Sequence, residues 1–110
     1  MLPDWVWSNE DHVFMRLALD EAEAAAKRGE VPVGAVVVRD GRVLAQTGNR
    51  RVELADATGH AEVLAVREAG RVVGDFRLTG CVLYVTLEPC AMCITSCRQA
   101  RLDLVIWGAD

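Results

Sequence analysis

Between residues 11 and 28, apolar side chains recur at helical spacing. Val13, Leu17 and Ala18, with Phe14 and Ala25, share one face, while Asp20, Glu21, Glu23, Lys27 and Arg28 take the other. The pattern predicts an amphipathic helix, which Gly29 is placed to stop. The period then gives way to a run of β-branched residues at 33–38, bounded by Pro32 and by Asp40-Gly41. Asp-Gly is a hairpin turn signal, so 42–47 is expected to return as a second strand. The polar stretch 49–56 reads as a loop. Thr58 offers an N-cap to a helix over 59–69, with Gly70 beyond it. A loop at 74–80 leads to a buried strand at 81–86. Pro89 falls in the first turn of a helix reaching residue 100, and 104–107 is the last strand.

The order is therefore helix, strand, strand, helix, strand, helix, strand. Alternation in the second half implies parallel strands joined by right-handed crossovers. The expected class is α/β, a sheet with helices on both faces, whose last strand keeps a bare edge. A chain of 110 residues fits one domain, 1–110, and is long enough for a core.

Composition narrows the functional classes. With 52% apolar and 25% charged residues the chain reads as globular. No apolar run approaches the roughly 18 residues that span a bilayer. The N-terminus lacks a basic start followed by an apolar stretch, so a cytoplasmic address is expected and a membrane partner is not. A net charge of −4 speaks against a surface coated in basic residues. Local patches remain open, because all the basic residues except Lys27 are Arg, which suits phosphate contacts.

Three of the four cysteines, Cys90, Cys93 and Cys97, crowd one short segment; the fourth is Cys81 in a strand. In a reducing compartment such a cluster points to metal or redox chemistry before disulfides. Cys90 and Cys93 have the C-x-x-C spacing of a zinc chelate at an expected helix N-terminus, where the dipole favours thiolates. His60 offers an imidazole from another helix start. Three protein ligands leave a tetrahedral zinc one open position, as catalysis requires. A closed structural site would need a fourth ligand. Cys97, one turn beyond Cys93, is placed either for that or for core packing. Glu62 stands two residues after His60, so the two do not share a helix face, and Glu62 suits a proton shuttle on the open side. Glu88 is expected to bond backbone at the helix start. Arg50-Arg51 suits either phosphate contact or a solvated loop. Trp5, Trp7 and Trp107 are placed for packing before base stacking.

His60-Ala-Glu62 with Pro89-Cys-Ala-Met-Cys93 is the H-x-E and P-C-x-x-C signature of zinc base deaminases. Pro32-Val-Gly-Ala-Val36, Gly48-Asn-Arg50 and Leu83-Tyr-Val-Thr-Leu-Glu-Pro-Cys-Ala-Met-Cys93 extend the match, in this order and spacing. From about residue 11 onward the chain closely resembles the bacterial tRNA-specific adenosine deaminases, within the cytidine deaminase-like superfamily. That resemblance implies a three-layer α-β-α sandwich, a homodimer, and hydrolytic conversion of adenosine to inosine at the tRNA anticodon wobble position. It implies one Zn2+ held by His60, Cys90 and Cys93, activating water for attack on C6. Glu62 would be the general acid/base, and Asn49 would hydrogen-bond the purine. Three features depart from the family pattern: Gly59 replaces the usual Ala before the His, polar residues enter 94–100 on the face expected at the dimer contact, and the chain stops at Asp110, before a further strand and helix. Deamination of a free base or nucleoside, or a silent zinc module that binds RNA or a partner, are the competing readings.

Overall fold

The computed structural model describes residues 7–109. Helix α1 (Asn9–Lys27) opens on a capping box: the Ser8 hydroxyl accepts the Asp11 N–H at 3.1 Å, and the Asp11 carboxylate accepts the Ser8 N–H at 3.0 Å. It ends at Arg28, and Gly29 follows with φ 83°, where glycine carries no Cβ penalty. Its buried stripe is Phe14, Met15, Ala18, Ala22 and Ala25, whereas Val13, expected inside, is 57% exposed. The stripe passes through the two bulky side chains, Phe14 and Met15, rather than through Val13.

Strands β1 (Gly34–Arg39) and β2 (Arg42–Gly48) form the expected hairpin. Asp40 and Gly41 both take positive φ, as a type I′ turn demands. Strands β3 (Cys81–Leu87) and β4 (Leu104–Ala109) complete a sheet of order β2-β1-β3-β4. Parallel pairing is confined to β3 with β4. β2 and β3 run in the same sense, but β1 lies between them, antiparallel to both, so the crossover from β2 to β3 does not create a paired parallel ladder.

Helices α3 (Ala61–Val73) and α4 (Ala91–Gln99) cover one face of the sheet and α1 the other, giving three layers. Ala35 and Val37 of β1 point to the α3–α4 side with Leu83 and Val85, while Val36 and Val38 meet Phe14, Met15 and Tyr84 under α1. Gly34 stands opposite Gly48, and α1 rests on this pair. A methyl group on Gly34 would overlap the Ala18 carbonyl and come within 2.7 Å of the Ala22 nitrogen.

Three local expectations need correction. Helix α3 starts after His60, not Thr58, whose hydroxyl bonds Asp56 instead. It runs through Gly70 to Val73 and closes at Gly74 in the left-handed region. Pro89 lies outside α4, whose N-cap is Cys90. The stretch taken as a polar loop contains the single-turn helix α2 (Arg51–Leu54). No helix among the described residues is long and apolar enough to cross a membrane.

Candidate active site

Because β2 and β3 run in the same sense, their C-terminal ends reach the same edge of the sheet. The chain leaves β2 at Asn49, and leaves β3 toward Cys90. α3 and α4 begin at this edge, and each places a candidate ligand at its N-cap: His60 for α3 and Cys90 for α4. Neither side chain caps its own helix, so both are free to converge. Cys93, one turn into α4, completes the group.

The His60 Nδ1 lies 3.5 Å from the Cys93 Sγ and 3.9 Å from the Cys90 Sγ, and the two sulfurs are 3.6 Å apart. Tetrahedral zinc, with Zn–S about 2.3 Å and Zn–N about 2.0–2.1 Å, sets sulfur–sulfur edges of about 3.8 Å and sulfur–nitrogen edges of about 3.6 Å. The triangle therefore fits zinc, with Nδ1 as the imidazole donor. The donor chemistry agrees. Burial above all, then the charge of Glu62, pushes the Cys93 thiol well above its ordinary range. A bound cation would oppose both effects and favour the thiolate, as a zinc site does. Among the described residues no fourth side chain joins the group. Cys97 instead packs into the core beside Ala65 and Leu83, its thiol pushed up to about 11 by burial and by Glu62. Cys81 is likewise a core residue.

Glu62, in the first turn of α3, is 4% exposed, and its charge bears on Cys93 and Cys97. A buried carboxylate beside the ligand group is placed to exchange protons with whatever the site binds. Asn49, also 4% exposed, is fixed on three sides. Its N–H donates to the Val33 carbonyl at 3.1 Å, its carbonyl accepts from Arg28 Nη2 at 3.1 Å, and its Oδ1 accepts the Ala61 N–H at 2.7 Å. Asn49 thus supplies the cap that His60 does not. Its amide NH2 is left as a donor in reach of solvent. The Thr47 hydroxyl donates to the Ala61 carbonyl at 2.8 Å, and the Arg50 N–H to the Gly59 carbonyl at 2.9 Å, tying β2 to the start of α3.

Sequence reasoning missed Glu30 and Arg28, which hold the loop after Asn49 from behind. Glu30 is buried more than twenty residues before the loop it serves, a long-range relation that no local pattern announces. Other candidates have more ordinary roles. Arg50 grips Glu53 through two bonds of 2.9 and 3.0 Å, while Arg51 is exposed. The Glu88 N–H donates to the Ala109 carbonyl, but among the described residues its side chain makes no bond to the start of α4. Trp107 packs against the core, and Trp7 lies against His12 with ring centroids 5.2 Å apart; Trp5 is outside the described residues.

Comparison with known proteins agrees with this geometry. Residues 8–109 match the cytidine and deoxycytidylate deaminase zinc-binding region. A tRNA-specific adenosine deaminase of Agrobacterium fabrum is 53% identical over 97 residues, covering 88% of this chain. This chain spans 64% of that relative's length. A solved tRNA:A34 deaminase, from work on A-to-I editing at the wobble position, superposes with a TM-score of 0.88 at 52% identity, covering 89% of this chain and 71% of its own. Guanine deaminase from Bacillus subtilis superposes with a TM-score of 0.86 at 37% identity, covering 89% and 63%. This chain belongs to the cytidine and deoxycytidylate deaminase family.

Proposed function

We propose that this chain carries out hydrolytic deamination of adenosine to inosine at the wobble position of a tRNA anticodon loop. The observation that carries the chemistry is the triangle of His60, Cys90 and Cys93 with Glu62 buried beside it. The 53% identity to a tRNA-specific adenosine deaminase supports the substrate class. When bound, zinc would supply Lewis acidity and would lower the pKa of water in the site. His60 Nδ1, Cys90 and Cys93 would hold that ion. Glu62 takes a proton from the attacking water and delivers it to the ring N1; it then takes the second proton from the new C6 hydroxyl, which becomes the carbonyl, and passes it to the amine that leaves as ammonia. The NH2 of Asn49 donates to an acceptor on the purine, because its Oδ1 is committed to Ala61. Incubation with an anticodon stem-loop tests the reading: inosine at the wobble position and stoichiometric ammonia are expected, and their absence with zinc loaded overturns it.

A second reading, deamination of a free purine base, draws on the 37% identity to a guanine deaminase. Free guanine and adenosine in the same assay separate the two. We further propose a cytoplasmic homodimer. Its support is the family resemblance together with the 700 Å³ groove between α3 and α4, where the half-buried Val66 and the exposed Phe76 offer apolar surface to a second copy. Sedimentation of the wild type and Phe76→Glu tests that contact.

A further inference from the structure

The turn between α1 and β1 reaches across to the loop that Asn49 opens. Glu30 is 7% exposed, and its two carboxylate oxygens accept the N–H groups of Val52 at 3.2 Å and Glu53 at 2.9 Å. These belong to the first turn of α2, whose N–H groups have no partner inside the helix. Burial acts to raise the Glu30 pKa. The N–H bonds from Glu53, Val52 and Arg51, with the nearby charge of Arg28, outweigh it and hold the carboxyl below its ordinary range. Arg28 is the second arm: its Nη2 bonds the Asn49 carbonyl at 3.1 Å, and its Nε lies 3.8 Å from Glu53.

The polar clamp stands where hydrophobic packing is lacking. α2 buries none of its residues, and Val52 and Leu54 are exposed. The segment from Asn49 to Leu54 thus has no apolar anchor, and its position depends on bonds from outside. On the far side the segment meets the first residue of α3 through Asn49 Oδ1, and Gly59 just ahead of that helix through the Arg50 N–H.

We propose that Glu30, aided by Arg28, is a positioning residue that fixes the Asn49 amide for substrate by clamping the backbone of the loop behind it. The inference rests on the reading of Asn49 as a purine contact. Glu30 bonds the loop backbone and none of the three candidate ligands, so its influence passes through the loop. A purely local role would anchor α2 and leave Asn49 unmoved.

Two readouts on the full chain test it. In Glu30→Gln one acceptor oxygen is replaced by an NH2 group facing an N–H, so one bond becomes a repulsion. For an anticodon stem-loop, kcat/KM is expected to fall about tenfold, mostly through KM, with zinc content unchanged; Glu30→Ala, which keeps neither acceptor, is expected to lose more. In an Asn49→Ala background the same Glu30→Gln change should add less than about twofold, since residues acting through one another are non-additive. Amide hydrogen exchange gives a readout independent of turnover. Exchange at Val52 and Glu53 should accelerate, and so should exchange at Ala61, whose N–H is held by Asn49, while Leu83 in the core stays unchanged. If Ala61 exchange is unaltered, or the two substitutions multiply independently, the clamp is overturned. If the wild type deaminates no substrate, it is the functional reading that fails, and Ala61 exchange alone decides the clamp.

Discussion

The side-chain oxygen of Asn49 accepts the Ala61 N–H at 2.7 Å, so one residue both caps α3 and presents an amide at the candidate site. Substitution separates the two tasks. Asn49→Asp keeps an acceptor for Ala61 and adds a negative charge at a helix N-terminus, which the dipole favours. Its stability should stay within about 1 kcal/mol of wild type. Its turnover should fall by about tenfold or more if Asn49 is the proposed purine donor, because that donor has become an acceptor. Asn49→Ala should lose about 1–2 kcal/mol as well as turnover. Urea unfolding beside a deamination assay checks both. Full activity in Asn49→Asp would remove the purine contact.

Metal content tests the ligand triangle directly. The purified chain should hold about one zinc, and His60→Ala, Cys90→Ala or Cys93→Ala should lose it. Cys97→Ala should keep it, since Cys97 belongs to the core cluster and not to the ligand group. Chelation should lower the unfolding temperature, because an ion that binds only the folded chain stabilises it. Zinc retained by His60→Ala but lost by Cys97→Ala would reverse the assignment.

Glu62→Gln addresses proton transfer without changing size. Glu62 is buried in the first turn of α3 and is not one of the three ligands. Zinc content and fold should persist, while turnover drops by about 10²–10⁴-fold, the usual worth of a positioned general acid/base. A metal-free Glu62→Gln protein would mean that the carboxylate is structural instead.

Much of this site was legible in the sequence, for a physical reason. His60, Cys90 and Cys93 sit at helix starts whose spacing is set locally, and a chelate needs particular residue types within one turn. Helix and strand order followed from periodicity in the same way. Tertiary decisions were less visible. Nothing local says that β1 separates β2 from β3, because that depends on which edge the returning strand takes. Val13 was misplaced because the helix presents the stripe that packs best over Gly34 and Gly48, and those glycines enter from elsewhere in the chain. Thr58 looked like a cap because it precedes the helix, yet Asn49 serves α3 from twelve residues away. The Glu30 clamp spans more than twenty residues and has no periodic signature.

The Tyr84 hydroxyl donates to the Asp11 carboxylate at 2.6 Å, joining β3 to the capping box of α1, and this pair gives the fold a defined pH dependence. Burial acts to raise the Asp11 pKa. The bonds from Tyr84 and Ser8, with the nearby charge of His12, outweigh burial and lower it. A lowered folded-state value means that the carboxylate's contribution is complete above the unfolded pKa of about 3.9 and is lost as pH falls through the folded value. Tyr84 behaves oppositely: burial first, then the Asp11 bond and the charges of Asp11 and Glu10, raise its pKa. Its contribution is complete below the unfolded phenol value of about 10 and is lost as pH rises through the folded one. Tyr84→Phe should therefore cost about 1 kcal/mol, discounted for partial solvent access, across a plateau from about pH 5 to 9. The gap between wild type and Tyr84→Phe should narrow as pH falls through the lowered folded-state value of Asp11, where the carboxylate takes up a proton and the bond loses its charge. Urea titrations at pH 7 and at successive steps down the acid limb measure it. A gap that stays constant down the whole acid limb would show that Asp11 contributes no charge to the bond, and that the loss in Tyr84→Phe is one of packing against Phe14.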